Sequence, residues 1–278
     1  MDYFVEYRKI IAMLYCLVVV YNKKIKDSCT MSCIESNLKK IDKAKVIVFD
    51  NSTADYKNRE YSEKLGYKYF GFMKNFGLSK AYNYAIKNAK IKDEDYIMVL
   101  DDDTEVSEEY FDKVLKAIRD EKGDILLPIV KAGDQIISPV IMRPHKKVKP
   151  IVSIYKSDKK WLTAINSGMV VRREVYNSVM YSEDIFLDYV DHDFMLRIRD
   201  TGFRIEILDT ELKQNYSRNE KVTLEKALAR FRIFKNDYKV FSLKHKEYAR
   251  YKRSLLKYAI KECLRYKKMV FLRELYVD

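Results

Sequence analysis

Seven glycines, four prolines, four cysteines, three histidines and one tryptophan are few for a chain of 278 residues. So little Gly and Pro leaves little room for flexible linkers, and no internal repeat or low-complexity segment interrupts the sequence. Cys16, Cys29, Cys33 and Cys263 are too few and too scattered for a disulfide framework. Cys29 and Cys33 would share a helix face at i, i+4. With His145, His192 and His245 as the available imidazoles, however, a zinc site is not indicated, and reduced cytosolic thiols are expected. The apolar run from Ile10 to Tyr21 falls well short of the ~20 residues that span a bilayer and lacks a small-residue cleavage site. It reads as a buried strand, and a cytoplasmic location is expected.

What the chain does have is apolar material, tyrosine and charge. A hydrophobic fraction of 47% supports a sizeable core and argues against disorder. The length fits one large domain, or a core domain with a small appendage. The formal charge of +13 is unevenly placed. Lys213 to Asp278 holds 19 Lys and Arg against 7 Asp and Glu, while the remainder is near neutral with 35 against 34. A basic tail of this kind suits nucleic acid, an anionic membrane surface or an acidic partner.

The first half alternates strand and helix. Leu14–Val20 is continuous and β-branched, as a strand buried on both faces should be. A helix from about Thr30 to Lys40 precedes a second apolar run, Lys45 to Phe49, which ends in the turn residues Asp50-Asn51-Ser52-Thr53. A helix over about Tyr56 to Leu65, a strand over Tyr67 to Phe72, a helix over Leu78 to Ala89 and a strand over Tyr96 to Leu100 complete a βαβαβαβ order. That order predicts an α/β fold with a mostly parallel sheet and helices on both faces. Ligands bind such sheets beyond the carboxyl ends of the strands. Three of those ends carry polar residues: Asn22, Asp50-Asn51-Ser52 and Asp101-Asp102-Asp103. Farther on, short β-like pieces are expected at Ile125–Val130, Gln135–Met142, Ile151–Tyr155 and Ile165–Val171. A helix over Asp191 to Asp200 and a strand over Phe203 to Leu208 follow. After Thr223 the pattern is amphipathic helix. One apolar stripe runs through Leu228, Phe231, Phe234, Tyr238 and Phe241, and another through Leu255, Leu256, Ala259, Ile260, Cys263 and Leu264.

Three adjacent aspartates after a buried strand repel one another and raise one another's pKa. A hard divalent cation relieves that repulsion and takes carboxylate and phosphate oxygens together. Asp101 and Asp103, two apart in extended chain, would point to one side. The plainer explanation is a solvated acidic turn in which Asp103 or Thr104 caps a helix starting near Ser107. A second acidic group, Asp188, Asp191 and Asp193, surrounds the start of the later helix. A carboxylate there is favoured in its ionised form by the helix dipole and can serve as a general base. Capping by Asp188 and an ordinary i, i+4 pair between Asp193 and Arg197 are the alternatives.

Six short pieces now align in order: Val18-Val-Val-Tyr-Asn22, Val46-Ile-Val-Phe-Asp-Asn-Ser-Thr53, Asn75-Phe-Gly-Leu-Ser-Lys-Ala-Tyr-Asn83, Leu100-Asp-Asp-Asp-Thr104, Asn166-Ser-Gly168 and Asp188-Tyr-Val-Asp-His-Asp-Phe-Met-Leu-Arg197. Together they resemble the family-2 inverting glycosyltransferases of GT-A fold, in particular the rhamnosyltransferase-like branch, over roughly residues 12 to 210. The resemblance implies a GT-A, Rossmann-like catalytic domain over 1–215 and a basic, mostly helical region over 216–278. It implies that Val20, Tyr21, Asn22 and Asp50 hold the nucleotide, and that Lys80 and Asn83 sit by the donor's phosphates or ribose. Asp101 and Asp103 would form the DxD pair for Mn2+ or Mg2+, with Asp102 at the variable middle position beside the donor. Asp191 would be the base, and Trp161, Asn166, Ser167 and Gly168 would line the acceptor side.

The implied reaction is a single displacement from a UDP- or dTDP-sugar onto a hydroxyl of a glycan, lipid-linked or protein-linked acceptor. The metal stabilises the leaving diphosphate in place of the general acid of inverting glycoside hydrolysis. One departure from the family stands out. Many relatives carry a late metal-assisting His soon after the strand equivalent to Phe203–Leu208, where this chain has Leu212-Lys-Gln-Asn-Tyr-Ser-Arg218; Gln214 or Asn215 would fill the place, or the metal would rely on Asp103 and phosphate alone. The basic tail allows packing on the core, peripheral membrane contact or self-association, and packing fits its tyrosine spacing best. Three rival readings remain at this point. A sugar-phosphate nucleotidyltransferase would show a Gly-rich loop after the first strand, and Asn22-Lys23-Lys24 leads into none. A nucleic-acid-binding α/β protein would show a reading motif, and none is found, so no nucleic-acid partner is expected. An inactive sugar-binding subunit would not need the intact triplet and Asp191.

Overall fold

The computed structural model describes residues 12–38, 44–144, 146–151, 159–214, 222–246 and 248–276. Its parallel half follows the hydrophobic pattern closely. β1 (Leu14–Val20), α1 (Cys29–Leu38), β2 (Ala44–Asp50), α2 (Asn58–Lys64), β3 (Lys68–Gly71), α3 (Leu78–Asn88) and β4 (Tyr96–Leu100) alternate as expected. The strands lie in the order β3-β2-β1-β4, all parallel. From β1 the chain moves outward to β2 and β3, then crosses back to place β4 on the other side of β1. Strand order therefore reverses between β1 and β4, and a crevice opens at their carboxyl ends.

Beyond β4 come β5 (Thr104–Glu105), α4 (Glu108–Arg119), β6 (Ile125–Ala132), β7 (Gln135–Ser138), β8 (Val140–Ile141), β9 (Lys149–Pro150), β10 (Leu162–Thr163), β11 (Val170–Arg172), α5 (Val175–Ser178), α6 (Val190–Ile198) and β12 (Ile205–Gln214). The main sheet continues β4-β11-β6-β12-β5, with β7 on β6, giving nine strands among the described residues. β11 is antiparallel to both neighbours, so this half is mixed. β10, β8 and β9 form a separate three-stranded sheet.

Several boundaries differ from the sequence expectation. The strand expected over Gln135–Met142 is divided at Pro139 into β7 and β8, because Pro has no N–H to offer a ladder. Of Ile165–Val171 only the last two residues join β11, and the preceding residues form the turn carrying Asn166–Gly168. Most of the piece expected at Ile151–Tyr155 lies outside the described residues. Ser107, not Asp103 or Thr104, caps α4, its hydroxyl accepting the Tyr110 N–H.

Alternation along the strands divides the core. Leu17, Val19, Ile97 and Val99 face one layer with α3 and α6, while Cys16, Val18, Met98 and Leu100 face the other with α1 and α4. The C-terminal helices α7 (Leu224–Lys244), α8 (Tyr248–Tyr266) and α9 (Val270–Arg273) join the first layer. Phe231, Tyr238 and Phe241 are buried there, each worth about 2 kcal/mol from apolar burial. The second tail stripe splits: Leu255, Ala259 and Cys263 face inward, whereas Leu256, Ile260 and Leu264 face out.

Candidate active site

At the strand-order reversal lies an open cleft of about 1010 Å³. Tyr21 and Asn22 after β1, the Asp101–Asp103 triplet after β4, Asn166, Asp191 and Gln214 all line it. α7 closes one side with Lys226, Arg230 and Phe234.

The triplet is held by its backbone. Ser28 donates its hydroxyl to Asp102 O at 2.7 Å, and Thr30 Oγ1 lies 2.6 Å from Asp101 O while accepting the Thr104 N–H at 2.8 Å. The side chains are thereby released from capping. Ser167 donates to Asp101 Oδ2 at 2.5 Å, and Lys23 pairs with Asp102 Oδ1 at 2.9 Å. Burial pushes the Asp101 carboxyl up to about 6; the Ser167 hydrogen bond opposes this, and Asp103, Asp191 and Asp102 add to the rise. Asp103 is raised too, first by burial and then by Asp102, with Lys23 opposing. Asp101 and Asp103 are thus crowded, partly desolvated carboxylates, while the lysine salt bridge goes to Asp102. An all-oxygen donor set of this kind fits Mg2+ or Mn2+ whose remaining ligands come from phosphate and water. Gln214, paired in register with Thr104, also reaches the cleft; Asn215 lies outside the described residues. Among the described residues no three His, Cys, Asp or Glu side chains form a metal cage by themselves.

Asp191 sits in the first turn of α6 and accepts the His192 N–H at 2.7 Å. The loop leading to it is gripped from two sides. From α3, the Leu78 N–H donates to Phe186 O at 2.7 Å, Ser79 donates to Ile185 O, and Asn83 exchanges hydrogen bonds with the Tyr181 backbone at 2.9 and 3.0 Å. Gly77, at φ +79°, lets α3 approach this closely, since a Cβ would meet Phe186 O at 2.6 Å. From α7, buried Asp237 accepts the N–H groups of Phe186, Leu187 and Asp188, each at 2.8 Å, and Arg230 forms a bidentate pair with Asp188. Asp188 therefore caps nothing; Tyr189 occupies the N-cap position of α6 without a side-chain cap bond. Asp193 is fully buried and binds Ser182 at 2.5 Å, Arg197 at 2.8 Å and His245 at 3.0 Å. Burial alone would raise it, but the His245 and Ser182 hydrogen bonds and the Arg197 and Lys244 charges hold it down at about 2.

The other expected site residues spread more widely. Val20 is buried in the layer with α1 and α4 and does not line the cleft. Asp50 accepts from Ser52 N–H, Asn58 and Tyr69 and lines a smaller cavity of about 220 Å³ with Asp55 and Arg59. That cavity neighbours the cleft through Asn51, which lines the latter. Lys80 is exposed on α3 and Asn83 is spent on the loop, so neither lines the cleft. Trp161 packs under Arg199, its ring centre 4.9 Å from the guanidinium, and also lies off the cleft. Asn166 lines the cleft and accepts from Tyr181 OH, whereas Ser167 acts on Asp101 and Gly168 serves the fold. At φ +82° a Cβ on Gly168 would meet Leu212 Cδ1 at 2.3 Å. Lys23, Ser28, Thr30, His192, Lys226, Arg230 and Asp237 were not expected. No spacing in the sequence marks Arg230 and Asp237 as site residues: they stand seven apart on one face of a charged helix beside a phenylalanine-rich stripe, and their partners are distant in the chain.

Comparison with known proteins bears on the family and the fold. The model of glycosyl transferase family 2 matches residues 15–179. A dTDP-rhamnosyl transferase, RfbF of Shigella flexneri, is 26% identical over 199 residues, covering 70% of this chain and 66% of that protein. Residues 1–349 of S. aureus TarS in complex with UDP-GlcNAc share the fold at a TM-score of 0.54 and 20% identity, over 82% of this chain and 66% of that one. GalNAc-T7 with UDP, GalNAc and Mn2+ shares it at 0.58 and 14%, over 75% and 44%. The chain thus spans just under two thirds of the first two relatives and less than half of the third. Since the family model runs from β1 through α5, across the whole parallel half of the sheet and more than half of the sequence, the chain belongs to glycosyl transferase family 2.

Proposed function

We propose that the chain transfers a sugar from a nucleoside-diphosphate sugar to an acceptor hydroxyl with inversion. The observation that carries this reading is the convergence on one cleft of the crowded Asp101–Asp103 turn and Asp191, the latter near enough to act on the Asp101 charge. The donor's nucleotide lies along Tyr21, Asn22 and the cavity beside Asp50, and its diphosphate turns toward the triplet. Asp101 and Asp103 would hold Mg2+ or Mn2+, which would supply positive charge to the departing diphosphate. Ser167 keeps Asp101 in place, and Lys23 balances Asp102. Asp191 accepts the proton of the acceptor hydroxyl as that oxygen attacks the anomeric carbon from the face opposite the diphosphate. The rhamnosyl relative and the UDP-bound neighbours make dTDP- and UDP-sugars the first donors to try.

The test is a donor screen by nucleoside-diphosphate release with and without Mn2+, on the parent, Asp103→Ala and Asp191→Asn. Asp103→Ala is expected to abolish metal-dependent release. Asp191→Asn should retain donor binding and lose about a hundred- to ten-thousand-fold in transfer. Metal-independent release that survives Asp103→Ala, or normal transfer by Asp191→Asn, would refute the mechanism.

A further inference from the structure

α8 carries two apolar faces where packing requires one. Tyr251, Leu255, Ala259 and Cys263 pack inward, with Tyr251 against Tyr238 of α7 at 5.3 Å between ring centres. On the adjoining side, about 100° round the helix, Leu256, Ile260 and Leu264, spaced i, i+4, i+8, are 45%, 44% and 75% exposed. Met269 and Tyr276, just beyond, are exposed as well. Arg253, Lys257 and Lys261 stand on the same outward side, interleaved with the leucines and isoleucine. The two acidic residues among the described residues of this stretch are withdrawn: Glu262 and Glu274 are each 6% exposed and pair with Arg265 and Arg232. The outward surface from 248 to 276 is therefore aliphatic and cationic, without exposed acidic side chains among the described residues.

From this arrangement we infer that α8 docks the protein on an anionic lipid surface, lying in the interface with Leu256, Ile260 and Leu264 among the headgroups. Aliphatic side chains flanked by lysines are what such a surface accommodates: the apolar stripe enters the acyl boundary while the cations meet lipid phosphates. A second copy of the chain would set two cationic faces against each other with no acidic complement. A nucleic acid would neutralise the lysines but leave the aliphatic stripe in water. No helix among the described residues is long and apolar enough to cross a membrane, so contact through α8 is interfacial. The arrangement also bears on access. α7, on which α8 packs, also lines the cleft, and Phe234 touches both, so lipid and cleft would be separated by one helix layer.

The experiment is vesicle flotation with the full chain, comparing phosphatidylcholine alone with phosphatidylcholine containing roughly a quarter phosphatidylglycerol. Binding to the anionic vesicles, weakened by salt and absent on neutral ones, is expected. The combined variants Leu256→Ser/Ile260→Ser/Leu264→Ser and Lys257→Glu/Lys261→Glu should each lower partitioning about tenfold or more. Their thermal midpoint and their nucleoside-diphosphate release in solution should stay at parental values, which separates this surface from the catalytic reading. Equal binding to neutral vesicles, no binding, or unchanged binding by both variants would overturn the inference. So would a concentration-dependent dimer that the serine variant dissolves, or an oligonucleotide complex that the serine variant retains.

Discussion

Asp191 and Asp193 stand two positions apart in the first turn of α6, yet the turn of the helix gives them opposite work. Asp191 points to the cleft; Asp193 points inward, where Ser182, Arg197 and His245 surround it. A carboxylate held at about 2 in the fold against an ordinary value near 3.9 contributes about 2 kcal/mol. That contribution is complete above the unfolded value and is lost as pH falls from there toward the folded one. Asp193→Asn should therefore lower urea-unfolding stability by about 2 kcal/mol, with the deficit constant from about pH 7 to about pH 4 and closing only below. A deficit that closed between about pH 7 and pH 5 would place the titrating group elsewhere. The i, i+4 pairing of Asp193 with Arg197 was legible in the sequence, as was the triplet, because both depend on spacing within one element. The Ser28, Thr30 and Ser167 hydroxyls that shape the triplet were not, since they arrive from 66 to 74 positions away.

At the scale of elements, the segment from Tyr181 to Asp188 has little regular structure of its own and is positioned by the helices that grip it. α3 holds its first part and α7 its last, and the shape it takes sets where α6 begins and where Asp191 points. Asp237 matters most because one buried carboxylate satisfies three consecutive loop N–H groups. Asp237→Asn keeps the shape but turns one acceptor into a donor facing an N–H, so at least one bond is lost and a repulsion gained. We expect a loss of about 2–3 kcal/mol in stability and a fall in kcat with donor affinity nearly unchanged, because the donor-side residues lie at the carboxyl ends of β1, β2 and β4. Isothermal titration with a nucleoside diphosphate, alongside transfer kinetics, checks this; donor affinity falling in step with kcat would mean a general loosening instead. The sequence showed α7 as an amphipathic helix with the correct inward stripe. It could not show Asp237 and Arg230 as parts of the site, because their partners at 186–188 are about fifty residues away and a charged residue on a charged helix looks solvated.

For the whole molecule, the question is whether the basic C-terminal region is an appendage or part of the core. The sequence expectation drew a boundary near residue 215, where the family resemblance fades and the charge turns basic, and neither says what the inward stripe covers. In the structure Phe231, Tyr238 and Phe241 lie in the same buried layer as Leu17, Val19, Ile97 and Val99, and α7 holds the Asp191 loop. A chain built this way should unfold as one cooperative unit. Two signals can tell: Trp161, the single tryptophan, reports on the region beside β10, whereas helical circular dichroism is weighted toward α7 and α8, at 21 and 19 residues the two longest helices. Urea curves from tryptophan fluorescence and from circular dichroism should share one midpoint and one slope, as a two-state transition requires. Separated midpoints, with helical signal lost first, would show that 216–278 folds as an independent layer. In that case α7 would grip the catalytic loop only while docked, and variants such as Asp237→Asn would act by undocking it.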